Sequence, residues 1–149
     1  MPDERFITQT ILASSEEGAE KGNCLAACVA SILALPLADV PNFVNAEEFP
    51  ENFYAWLECR GLGYAWMLVK NADGGAISPE LLPDVVKSIG TVGFHLIYGT
   101  SPRGFLHSCV GYAGKVVHDP HPSRAGLVDA HAIGFIMPLD PTRGGLLAN

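Results

Sequence analysis

The sequence predicts an α+β fold, with a buried cysteine-bearing helix near the N-terminus packed on a largely antiparallel sheet. Three observations carry this. Residues 24 to about 35 (CLAACVASILAL) are apolar or small on nearly every side, Ser31 being the polar exception, which is the pattern of a helix buried all round. Strand-like runs rich in Val, Ile and aromatic residues crowd the second half of the chain. Helical patterns come mostly first and strands afterwards, an order that segregates the two instead of alternating βαβ units.

Taken in order, residues 6–12 (FITQTIL) alternate and are β-branched, so they read as a first strand. Residues 13–22 are small, polar and acidic, a surface loop. Asn23 is a good N-cap for the helix that begins at Cys24. Pro36 and Pro41 end that helix and open a turn-rich connection. Residues 51–60 place Phe53, Trp56 and Leu57 on one face, with Gly61 as a stop, and predict a surface helix. Residues 64–69 suggest a strand, 71–75 a turn, and 79–89 a short helix broken near Pro83. Strands are expected at 92–98, 106–111, 115–119 and 132–137. Trp56 and Trp66 read as core. No repeat or linker interrupts the chain, and 149 residues suit one domain.

Composition narrows the function. Lys and Arg number 9 against 16 Asp and Glu, a formal net charge of −7, so there is no basic surplus for nucleic acid or an anionic membrane. The N-terminus is acidic where a secretory signal is basic, and the longest apolar run is too short to span a bilayer and holds Pro36. A cytoplasmic protein with reduced thiols is the expectation, and a special cysteine is then a nucleophile or a metal ligand.

Cys24 stands at the first turn of the helix, where free N–H groups and the helix dipole stabilise a thiolate and can hold an oxyanion. Cys28, one turn on, reads as core. Residues 105–120 read as a hairpin. A three-residue loop of Tyr112, Ala113 and Gly114 puts His107 opposite Asp119 on one face, so that the carboxylate orients the imidazole. A two-residue loop would put them on opposite faces. Cysteine chemistry needs such a base and such an orienting group.

Gly22-Asn23-Cys24 opening an apolar helix, His107 leading a strand and Val116-Val117-His118-Asp119-Pro120 closing the next resemble the papain-like cysteine peptidases. The short length is closest to the C39-peptidase-like branch. Residues 22–43 and 101–123 are also similar to small proteins of phage and bacterial genomes. The resemblance implies a papain-like fold, Cys24 as nucleophile, His107 as base and Asp119 as its orienter, with a peptide or amide substrate and no cofactor. Such enzymes carry an oxyanion-binding glutamine about six residues before the nucleophile, where this chain has Gly18. Gln9 fills that role if 13–22 is an inserted loop that lays 6–12 beside Cys24. Asn23 and Arg103 are candidate substrate contacts, and Arg103 and Arg124 are placed to meet a carboxylate.

Other readings use the same residues. His107, Cys109, His118, Asp119 and His121 are all zinc-ligand types, though strand alternation splits them between faces. A non-catalytic module of the same fold would bind peptide or protein. An acyltransferase would resolve the thioester with an amine.

Overall fold

Ten residues, Cys24–Leu33, form helix α1, and all but its first and last are buried. Ala34 closes it in the left-handed conformation at φ 55°, ahead of Pro36, so the helix stops slightly short of the expected Leu35. The structure, a computed structural model, describes residues 4–45, 47–90, 93–140 and 142. Among these no helix is long and apolar enough to cross a membrane.

Helix α2 (Glu51–Glu58) buries Phe53 and Leu57 and leaves Trp56 half-buried against Phe43. Strand β1 (Leu62–Leu68) follows. Pro79–Leu81 is a 3₁₀ turn that runs into helix α3 (Leu82–Ile89). Pro83 does not break this segment. It lies in the first turn of α3, where its missing N–H costs nothing. The remaining strands are β2 (His95–Thr100), β3 (Leu106–Tyr112), β4 (Lys115–His118) and β5 (Ala132–Pro138). Of the expected strand 92–98, Val92 lies outside the described residues and the strand itself runs later.

Among the described residues five strands form one antiparallel sheet in the order β1-β5-β2-β3-β4. Alternation along β2 divides the core. Leu96 joins Val110, Ile136, α1 and α2 in one cluster, and Ile97 joins Ile133 and α3 in another. Helices therefore cover both faces of the sheet. The fold is α+β, as the order of elements predicts.

Two further expectations fail. Residues 6–12 are extended but join no ladder, because their backbone groups find other partners: Ile7 N–H donates to Ser31 Oγ, Gln9 N–H to the Pro120 carbonyl, and Ile7 O accepts from His118 Nε2. Trp66 is not core. It is 52% exposed on the edge strand β1, and it lines an aromatic cavity of about 270 Å³ with Phe49, Tyr54 and Tyr98.

Candidate active site

The start of α1 is fixed by the segment that precedes it in sequence. Asn23 makes no side-chain cap. Its Oδ1 accepts the Thr10 and Ile11 N–H groups at 3.0 and 2.9 Å, its Nδ2 donates to Thr10 Oγ1, and its own N–H reaches the Ile11 carbonyl. The residue expected to cap the helix, or to touch substrate, is buried and binds the 9–11 segment instead. The consequence is the one the loop at 13–22 was expected to bring. Gln9 comes alongside Cys24, and both line one pocket. Gln9 is buried, with Nε2 donating to the Ile11 carbonyl at 2.8 Å and Oε1 without a partner among the described residues.

The hairpin differs from expectation in two ways that cancel. The turn has two residues, Ala113 and Gly114, both at positive φ, with Tyr112 paired to Lys115. Glycine is needed at 114, where a Cβ would sit 2.6 Å from the Leu82 carbonyl of α3. The short turn alone would send Asp119 to the far face. A bulge corrects it: Gly111 pairs with Val116 but Val110 with His118, so Val117 is left over. Counting on from that pair sets Asp119 beside Cys109 and diagonal to His107 on one face. His107 Nε2 donates to Asp119 Oδ1 at 2.7 Å.

Asp119 is held from several sides. Oδ1 also accepts the His121 N–H at 2.9 Å, and Oδ2 accepts the Gly126 N–H at 2.7 Å. Arg124 bonds the Asp119 carbonyl and Thr8 Oγ1, so it ties this loop to the N-terminal segment. Burial works against a charged Asp119, but the bonds from His107, His121 and Gly126 outweigh it and hold the carboxyl down at about 2. Burial likewise disfavours a charged His107. Hydrogen bonds with Asp119, Cys109 and Cys24 overcome it and raise the imidazole to about 11.

The thiol side is organised by one residue. Strand β4 ends at His118, and there the backbone of Ser108 on β3 meets α1. The Ser108 N–H and hydroxyl help to lower the Cys24 thiol, while the Ser108 carbonyl accepts the Cys28 S–H at 3.4 Å. Two cysteines one turn apart thus meet opposite ends of one residue, one facing donors and the other an acceptor. Burial pushes Cys24 up, but His107 and Ser108 prevail and the net direction is down. Cys28, fully buried and beside an acceptor, goes well up, in keeping with a core residue. With Nε2 of His107 on Asp119, Nδ1 is the nitrogen left for a thiol proton.

The pocket before Cys24 has a volume of about 180 Å³, and Leu12, Arg103, Phe105, Leu106, His107 and His121 also line it. Arg103 therefore reaches the site, whereas Arg124 belongs to its frame. His107, Cys109 and Asp119 place one donor atom each within 4.8 Å of one another, so that part of the zinc-type set is gathered. His118 is not in it: its Nε2 bonds the Ile7 carbonyl and its ring stacks on Phe6. Sequence reasoning missed the Ser108 backbone, which carries no residue-type signal. It also missed the joint placement of His121 and Ser123, although the run Asp119-Pro120-His121-Pro122-Ser123 is the kind of segment that folds on its own side chains.

The chain is thus an α+β protein in which a half-buried helix-start cysteine adjoins a buried strand histidine and a buried aspartate just past a strand end. No family model, curated protein or solved structure matches it.

Proposed function

We propose that this is a papain-like cysteine hydrolase that cleaves an amide or peptide bond through a thioester. The observation that carries the reading is His107, held by Asp119 through Nε2 while it interacts with the Cys24 thiol. A base fixed in one tautomer beside a sulfur whose proton it can take is what nucleophilic cysteine chemistry requires.

In the reaction His107 Nδ1 holds the proton from Cys24. The thiolate attacks the carbonyl carbon, and the carbon–oxygen π pair becomes an oxyanion. The Cys24 N–H, at the helix start where no intrahelical acceptor exists, and Gln9 Nε2 donate to that oxygen. Collapse of the intermediate breaks the C–N bond, and the leaving nitrogen takes the proton from His107. Water then attacks the thioester, His107 accepts its proton, and the S–C bond breaks to release the acid. An amine in place of water would give acyl transfer by the same steps. No cofactor enters. The described cysteines are all free, which suits a reducing compartment such as the cytoplasm.

A second reading rests on the gathered donors of His107, Cys109 and Asp119, which would suit a buried zinc ion. One experiment separates the two. Folded protein is labelled with iodoacetamide from pH 5 to 9 and each cysteine is located by mass spectrometry. Rapid, selective alkylation of Cys24 at pH 5, lost in His107→Ala and indifferent to chelator, is the expected result. Labelling that tracks ordinary thiol ionisation would sink the hydrolase reading and favour a binding module. Labelling that changes on chelation would favour zinc.

A further inference from the structure

The pocket before Cys24 differs in charge from the chain around it. The chain carries a formal net charge of −7, yet no Asp or Glu is among the described residues that line this pocket. Arg103 and His121 line it instead, together with the apolar Leu12, Phe105 and Leu106. Leu106 is 77% exposed and Leu12 47%, so apolar surface stands open at the entrance.

Ser123 organises the two polar residues. Its Oγ accepts from Arg103 Nη1 at 3.1 Å and from the Ala125 N–H at 3.3 Å, so its single proton goes to His121 Nδ1 at 2.8 Å. The Ser123 N–H also donates to that Nδ1, at 3.0 Å. A nitrogen that accepts two hydrogen bonds carries no proton, so His121 bears its proton on Nε2. One serine therefore fixes a guanidinium, with four further N–H donors, next to an imidazole whose outer nitrogen is also a donor. His121 meets His107 edge-on at 6.2 Å between ring centroids, which puts this donor pair beside the proposed base.

The geometry points to an anionic substrate: an amide with a carboxylate within one residue of the scissile bond, held by Arg103 and His121, and an apolar group against Leu12, Phe105 and Leu106. This rests on the hydrolase reading above and adds the substrate class. A volume of about 180 Å³ is far above what a single water needs and leaves room for a small side chain. The carboxylate has two sources, the C-terminus of a peptide or an acidic side chain.

The first test does not depend on turnover. Iodoacetate and iodoacetamide alkylate Cys24 by the same displacement of iodide and differ only in the carboxylate. The ratio of their rate constants within one protein cancels any change in thiolate content. At pH 6 and low salt the ratio in the wild type is expected to exceed that in Arg103→Gln by about fivefold, with most of the difference restored in Arg103→Lys and lost at high salt. An equal ratio in wild type and Arg103→Gln overturns the inference, while acid-pH labelling by iodoacetamide still upholds the Cys–His pair. A Cys24 inert at acid pH brings down both. Matched peptides then identify the source. Faster cleavage with a free C-terminus than with a carboxamide assigns the terminal carboxylate, and faster cleavage with Glu than with Gln beside the bond assigns the side chain. No preference in either pair overturns the inference.

Discussion

Asp119 is the residue on which most of the site's electrostatics turns, and its charge is readable in two experiments. Its carboxyl is lowered from 3.8 to about 2, so its contribution to stability is complete above the ordinary value and is lost as pH falls through the lowered one. Thermal melts of the wild type should therefore fall between about pH 4 and pH 2 more steeply than those of Asp119→Asn, which has no such charge to lose. Parallel curves would show that the carboxylate is not held as described. His107 carries the opposite sign. Its raised value, from 6.5 to about 11, stabilises fully below 6.5 and fades as pH rises toward 11. The same substitution removes the anion that favours a charged imidazole. An NMR titration should therefore place the His107 midpoint at least about one unit lower in Asp119→Asn than in the wild type, roughly 1.4 kcal/mol less favour for the charged ring, and an unmoved midpoint would show that the carboxylate is not its partner. At this scale the sequence was informative: Cys24, His107 and Asp119 announce themselves by residue type and by the elements they begin or end. Ser108 does not, because what it contributes is mostly backbone.

Between elements, the junction that matters is the one Asn23 makes. Two backbone donors of the 9–11 segment end on its Oδ1, and this holds Gln9 beside the start of α1. Asn23→Ala leaves both without that acceptor and should cost about 2–3 kcal/mol in urea unfolding, more than the ~1 kcal/mol of Thr10→Val, which removes only the hydroxyl that receives the Asn23 amide. A loss below 0.5 kcal/mol in Asn23→Ala would show that the segment is anchored elsewhere. Asn23 has the composition of a cap, and nothing local tells a cap from a clasp across thirteen residues. The hairpin teaches a related lesson. Its face parity was legible although neither the turn nor the register was. The turn is one residue shorter than expected and β4 holds one unpaired residue, and the two changes restore the face. Glycine at 114 fits either turn. Its close approach to the Leu82 backbone of α3 is a contact distant in sequence, which no local pattern reveals. Residues 6–12 have strand composition but no strand neighbour, since β4 and α1 receive them through side chains.

Across the whole molecule, the α+β class was legible because burial patterns are long: α1 is apolar on all sides, and buried positions run without interruption from His107 to Gly111 in β3. The exposure of Trp66 was not, because it depends on where α2 ceases to cover the edge strand β1. Helix α1 belongs to the first part of the chain and β3 to the last, and Ser108, where they meet, is 80 residues from Cys28. The sulfur and the imidazole do not meet until the chain has closed that distance. Fast alkylation of Cys24 at pH 5 should accordingly vanish at the same urea midpoint as the circular dichroism of the helices, and survival past that midpoint would mean that the pair assembles locally. The residue that faces the two thiols thereby turns a chemical rate into a clock for refolding: a pulse of reagent during renaturation would time the arrival of α1 at the sheet, with the unreactive Cys28 as the internal reference.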